Sequence, residues 1–238
     1  MMGLLFGFSF ITQQIGKVIG AEQNITSFKE KRMKLPVKKE SNCFKSSEDI
    51  KLLWKRGFAL EMISDQESLP PYRLVKTEYF DLDGNGVTDE FALRDGIITV
   101  KADSHIIWQS PNNWWVDDFF LEDTNNDGTS ELNLLVWKEG SFGSQKPFWI
   151  EEEITEVKNH FFIFKLEQGD IKPVWQSSNL DHPNYCATSI DINSDGKNEL
   201  ITIEGSYTEP YKQEVTIWEW NGWGFSRLIQ KGAGSLFR

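Results

Sequence analysis

After a polar opening, the chain settles into short apolar stretches separated by turn residues, the pattern of a many-stranded all-β domain. Alignment on the Asp-Gly turns divides this part into three units. The first runs over residues 72–111, the second starts at Asn112 and ends near Ser178, and the third starts near Asn184. Each unit reads strand, acidic loop, strand, strand, turn, strand. The turns are Arg94-Asp95-Gly96, Gln168-Gly169-Asp170 and Asn221-Gly222, all sequences that close hairpins. Two units end in matching text, Ile107-Trp108-Gln109-Ser110 and Val174-Trp175-Gln176-Ser177.

Four strands per unit, repeated, predicts an all-β, β-propeller-like domain with three recognisable four-stranded blades. The segment Ile50-Lys51-Leu52-Leu53-Trp54 resembles Ile171-Lys172-Pro173-Val174-Trp175, so it is expected to be the last strand of a degenerate fourth blade. The domain is expected to span 50–238. The second unit carries an insert over about 139–159, with Pro147-Phe148-Trp149 and the acidic run Glu151-Glu152-Glu153. Residues 22–49 are rich in Lys, Glu and Ser and are expected to be a solvated linker. Residues 3–11 are apolar, too short to span a bilayer but of the length of a secretory h-region. Residues 1–21 therefore read as a signal peptide or N-terminal anchor, although no basic residue precedes the apolar run.

The acidic loops fall at Asp81, Asp123 and Asp191, each between two expected strands, and follow D-x-[D/N]-x-[D/N]-G-x-x-[D/E]. Loop one places Asp81, Asp83 and Asn85 at positions one, three and five, Gly86 at six and Asp89 at nine. Loop two has Asp123, Asn125, Asp127, Gly128 and Glu131 there, and loop three has Asp191, Asn193, Asp195, Gly196 and Glu199. Calcium needs several hard oxygens, which alternate positions of a tight loop turn onto one centre. The glycine permits the positive φ that brings the chain round. Position seven, Val87, Thr129 or Lys197, offers a backbone carbonyl, so its side chain is free to vary. Three carboxylates crowd each loop, so a cation is expected both to bind and to stabilise, with up to three calcium ions in all. An EF-hand needs a bidentate Glu at position twelve and flanking helices; here position twelve is Ala92, Leu134 or Thr202, and the flanks are strand-like.

The loops followed by an acidic residue and an apolar strand (Asp89-Glu90-Phe91, Glu131-Leu132, Glu199-Leu200) resemble FG-GAP repeats, also called VCBS repeats. The resemblance covers roughly residues 72–225. It implies a calcium-bearing propeller of the kind found in integrin α-subunits and many bacterial extracellular proteins. The Phe-Gly and Gly-Ala-Pro signatures are not preserved, which points to a divergent bacterial-type member.

Composition narrows the function. A net charge of −11 disfavours nucleic acid and anionic membrane partners. The two cysteines, Cys43 and Cys186, form no metal-binding cluster and are either a single disulfide or two thiols. His105, His160 and His182 are isolated, and no catalytic motif is present. Ten Trp and seventeen Phe read first as sheet packing. Trp114-Trp115, Phe148-Trp149 and Trp218-Glu219-Trp220-Asn221-Gly222-Trp223 are the places where an aromatic could face a sugar or protein. The expectation is a secreted or cell-surface, non-catalytic calcium-binding module for an unidentified protein or carbohydrate ligand. The alternatives are a polysaccharide-acting enzyme or accessory module on a calcium-stabilised propeller scaffold and a purely structural domain, and a cytoplasmic location is the alternative to secretion.

Overall fold

The computed structural model describes residues 24–40, 44, 46–55, 72–141, 155–209 and 212–228. It opens with α1 (Ile25–Met33), β1 (Val37–Lys38), α2 (Ser47–Lys55) and β2 (Arg73–Leu74), with β1 and β2 paired in parallel. Three four-stranded antiparallel sheets follow. The first contains β3 (Lys76–Phe80), β4 (Asp89–Arg94), β5 (Ile97–Ala102) and β6 (His105–Gln109). The second contains β7 (Trp114–Glu122), β8 (Glu131–Glu139), β9 (Val157–Glu167) and β10 (Asp170–Gln176). The third contains β11 (Asn184–Ile190), β12 (Glu199–Glu204), β13 (Glu214–Trp220) and β14 (Phe225–Arg227). Strands adjacent in a sheet are consecutive in sequence, so each repeat unit folds on itself as a meander.

Local chemistry accounts for the meanders. The β4–β5 hairpin turns at Asp95 and Gly96, with φ of 52° and 72°, and the β9–β10 hairpin at Gln168 and Gly169, with φ of 55° and 81°. Two consecutive positive φ values give a turn whose twist matches that of the strands. A Cβ on Gly96 would also lie 2.3 Å from the Trp115 ring, so two constraints require glycine there. The matching unit ends have a shared physical role. Ser110 Oγ accepts from the Ile98 N–H at 3.2 Å, and Ser177 Oγ accepts from the Phe161 N–H at 3.0 Å. Each buried serine supplies an acceptor to the neighbouring strand at the end of its sheet.

The sheets pack in chain order. Phe91, Leu93, Ile98 and Val100 of the first sheet meet Phe119, Leu132, Leu134, Phe162 and Phe164 of the second. On the other face of the second sheet, Leu135, Phe161 and Ile163 meet Ala187, Leu200, Trp218 and Phe225 of the third. The middle sheet is thus covered on both faces, and most of β8 is buried. Each fully buried side chain of this size contributes about 1.5–3 kcal/mol. Trp114 and Trp115 lie in clusters on opposite faces of β7, which accounts for the pair by packing. Phe148 and Trp149, the acidic run, Cys43 and residues 1–21 lie outside the described residues. Cys186 is buried and disulfide-bonded.

Two expectations change at the N-terminal side. Ile50-Lys51-Leu52-Leu53-Trp54 is part of helix α2, not a strand, so it supplies no edge of a fourth blade. Ser46 Oγ accepts from the Asp49 N–H at 3.3 Å and donates to its carboxylate at 2.8 Å, and Glu48 and Asp49 occupy the first turn. This is a helix start in which the serine satisfies a free backbone donor. Ile50 and Trp54, one helical turn apart, then pack with Ile192, Ile201 and Ile217 of the third unit.

Nor is 22–49 only a solvated linker. Helix α1 docks on the second sheet, with Phe28 against Trp137 at 5.0 Å between ring centroids. The Asp117 carboxylate accepts from Trp115 Nε1 at 2.9 Å, Trp137 Nε1 at 2.6 Å and Arg32 at 3.1 Å. Glu139 Oε1 accepts from the Ile25 N–H at 2.7 Å, satisfying one donor at the helix start. No described helix is long and apolar enough to cross a membrane.

Candidate metal centre

Each acidic loop joins the first two strands of its sheet, and all three adopt one hydrogen-bonding scheme. The position-one carboxylate crosses the loop with both oxygens. Asp81 accepts from the N–H groups of Asn85 (3.0 Å) and Gly86 (2.8 Å), Asp123 from Asp127 (3.2 Å) and Gly128 (2.8 Å), and Asp191 from Asp195 (3.1 Å) and Gly196 (3.1 Å). Position three, Asp83, Asn125 or Asn193, accepts from the position-five N–H at 2.8–3.2 Å. Position five, Asn85, Asp127 or Asp195, accepts from the N–H of Val87, Thr129 or Lys197 at 2.7–3.1 Å. Gly86, Gly128 and Gly196 have φ of 86°, 90° and 90°, as the turn requires.

Position nine is different in kind. Asp89, Glu131 and Glu199 are the first residues of β4, β8 and β12 and are buried. Each accepts from the backbone N–H at position two of its own loop: Leu82 at 3.3 Å, Thr124 at 2.8 Å and Ile192 at 3.0 Å. Those position-two side chains are themselves buried and anchor the loops to the sheets. A rigid strand thus carries the position-nine candidate while the loop folds the others over it. Burial raises the carboxyl pKa of Asp89 and Glu199, and the neighbouring loop carboxylates add to the effect.

Loop two gathers its acids most closely. Asp123, Asp127 and Glu131 each present an oxygen within 4.8 Å of the others, the one such group among the described residues. Glu131 is 0% exposed, and its Oε1 has no hydrogen-bond donor. Burial, with the negative charges of Asp123 and Asp127, pushes its pKa up to about 7. Lys165 of β9 reaches in from the side, bonding Asp127 and lying 4.0 Å from Glu131. Burial would raise Asp127, but its bonds from Lys165 and Thr129 outweigh this and leave its pKa below the ordinary value.

Loop three has the same ligand candidates but closes on itself. Asn193 Nδ2 donates to Asp195 at 3.1 Å and to Glu199 Oε1 at 2.8 Å, so the buried carboxylate has a donor on both oxygens. In loop one Asp83 is exposed where Asn125 of loop two is buried. The structure therefore folds all fifteen sequence-derived positions into three like turns but draws one set of carboxylates together.

Three further residues shape loop two, and the nine-residue pattern does not mark them. Lys165 neutralises part of its charge. Asn126 and Asn198 join loop two to loop three: Asn126 Nδ2 donates to Asn198 O at 3.0 Å, Asn126 Oδ1 accepts from Asn198 N at 2.7 Å, and Asn198 Nδ2 donates to Asp123 O at 2.7 Å. The sequence hint is a departure from the repeat, since Asn126 stands where loops one and three have Gly84 and Ser194.

An all-oxygen set with one buried oxygen lacking a donor suits a hard divalent cation better than a soft one. Asp123, Asn125, Asp127 and Glu131 would hold it, and its charge would offset the desolvation of Glu131. No family model matches the chain, and no curated protein matches it.

Proposed function

We propose that this chain is an extracytoplasmic, non-catalytic binding module whose repeat sheets are stapled by calcium, with loop two as the principal site. The observation that carries the reading is Glu131 Oε1, buried without a donor beside Asp123 and Asp127. A buried carboxylate oxygen left unpaired costs stability unless the group is neutralised or a cation meets it. The same turn recurs at the same place in all three sheets, which favours a staple over a catalytic centre.

The resemblance to FG-GAP repeats and the three meander sheets packed in order support a propeller-like arrangement, with α2 lying where further blade structure was expected. The disulfide at Cys186 favours an oxidising compartment. For a ligand surface, Trp223 on the β13–β14 turn is the leading candidate at 80% exposure. Its carbonyl accepts from Trp175 Nε1 at 3.0 Å, which holds the turn in place beneath a free indole of the kind that meets a protein or carbohydrate.

Thermal unfolding in calcium and in chelator tests the reading. Calcium at about a hundredfold above Kd stabilises by about 2.7 kcal/mol per site, a rise of roughly 5–10 °C in Tm for a chain of this size. An unchanged midpoint would overturn the calcium assignment.

A further inference from the structure

Loop two is not built by loop two alone. Asn198 lies at position eight of loop three, distant in sequence, yet its side-chain amide donates to the backbone carbonyl of Asp123 at 2.7 Å. Asp123 is the residue whose carboxylate spans loop two through the N–H groups of Asp127 and Gly128. The main chain of Asn198 is in turn clamped by the Asn126 side chain, which pairs with both its N–H and its C=O at 2.7 and 3.0 Å. Three hydrogen bonds thus tie the first and fourth positions of one loop to the eighth position of the next. Loop one has Gly84 and Thr88 at the corresponding positions, and Gly84 has no side chain to make the clamp.

Asn126 holds φ at 60°, as Gly84 (71°) and Ser194 (65°) do at the same position, a left-handed conformation that asparagine tolerates. Its pair of bonds to Asn198 supplies a reason for asparagine there, since glycine would hold the turn without them. A ligand set works as a site only when its members are held in place, and bonds behind the ligands set much of a site's affinity.

We infer that Asn198 of loop three and Asn126 are positioning residues for the loop-two metal site, so that loop two depends on its neighbour while loop one stands by itself. The inference rests on the calcium reading given above. In it Asn198 touches no ion: it fixes the Asp123 backbone, and with it the carboxylate that closes the loop. Loss of the clamp leaves every loop-two ligand present but less ordered, so binding weakens because more ordering has to accompany it.

The test uses the full chain carrying Asp81→Asn and Asp195→Asn, which remove a ligand charge from loops one and three. An amide at position 195 can still accept from the Lys197 N–H, so loop three keeps its turn and Asn198 its place. Calcium is titrated calorimetrically at fixed ionic strength, and Tm is measured in chelator. Adding Asn198→Ala is expected to weaken the remaining calcium event by about fivefold, the size of one net hydrogen bond. Asn126→Gly keeps the left-handed turn and removes two bonds, so it is expected to weaken binding at least as much. Asn198→Asp, which cannot donate to the Asp123 carbonyl, is expected not to restore it. The chelator Tm should move little, whereas a residue that merely supports the fold would lower it in proportion. Thr88→Ala, at the matching position of loop one, should leave the event unchanged. Equal calcium affinity in the parent, Asn198→Ala and Asn126→Gly chains would overturn the inference while leaving the calcium site intact. No calcium event in the parent would overturn the loop-two site itself, and the inference with it.

Discussion

Loops one and two share a nine-residue pattern, a hydrogen-bonding scheme and a left-handed glycine, yet they sit in different surroundings. Loop two belongs to the middle sheet, packed on both faces, and Thr124, Asn125 and Glu131 are buried there. Loop one belongs to the first sheet; it buries Leu82 and Asp89 as loop two buries Thr124 and Glu131, but Asp83 is exposed where Asn125 is buried, and its carboxylates do not draw together as those of loop two do. The backbone turn is a local property that the sequence pattern brings wherever it occurs. The electrostatic demand for a cation is a tertiary property, set by how far the sheet around the loop excludes water.

That contrast predicts its largest effect at position nine. Glu131→Gln keeps the shape, can still accept from the Thr124 N–H, and removes a charge the fold buries. Calorimetric unfolding is expected to show it as stable as the parent or more so in chelator, with several degrees of the calcium-induced rise in Tm lost. Asp89→Asn, the equivalent change in loop one, should remove less of that rise. Equal losses from the two substitutions would contradict the ranking.

The pH dependence of the calcium-free chain comes next. The Glu131 pKa is about 7 when folded against an ordinary 4.5, so the folded state holds this proton more tightly than the unfolded state does. Its contribution is intact below about pH 4.5 and is lost as pH rises through about 7. Denaturant unfolding in chelator should therefore show this part of the stability falling between those values, and Glu131→Gln should flatten the fall.

A smaller effect is expected at Lys165. Lys165→Met removes the ammonium that bonds Asp127 and lies near Glu131. Calcium should bind loop two more tightly by a few-fold, because a competing positive charge is gone, and the chain in chelator should lose about 1 kcal/mol or less. Calorimetric titration measures the first and urea unfolding the second; calcium binding at loop one should be unchanged.

The smallest contrast is expected where the loops are alike. Gly86→Ala and Gly128→Ala both place a Cβ on a residue with positive φ and meet no atom within 4 Å. Each should cost about 1–2 kcal/mol, and the two costs, measured by urea unfolding in chelator, should agree. A marked difference would show that the loop backbones are less equivalent than their hydrogen bonds indicate.

What the sequence made legible follows the same division. Period-two strands, Asp-Gly hairpins and the nine-residue loops are short-range patterns, and the sheets follow them in order. Ile50-Lys51-Leu52-Leu53-Trp54 reads as a strand because a short apolar run suits either element. The deciding signal was Ser46 three residues before Asp49, a helix-start pair. Helix α1 has little apolar periodicity of its own; Phe28 and Arg32 hold it through Trp137 and Asp117, residues far along the chain. The Asn126–Asn198 clamp and the approach of Lys165 to loop two are likewise contacts between distant residues, which no local pattern encodes. The difference between the loops was therefore hidden even though the loops themselves were plain.

The most direct measurement is a crystal structure of the chain grown with a lanthanide in place of calcium, read by anomalous scattering. The account predicts a strong peak in loop two, coordinated by Asp123, Asn125, Asp127 and Glu131, with Glu131 Oε1 among the ligands and Lys165 turned aside. Loop two without a peak at millimolar lanthanide, with Lys165 still bonded to Asp127, would contradict it.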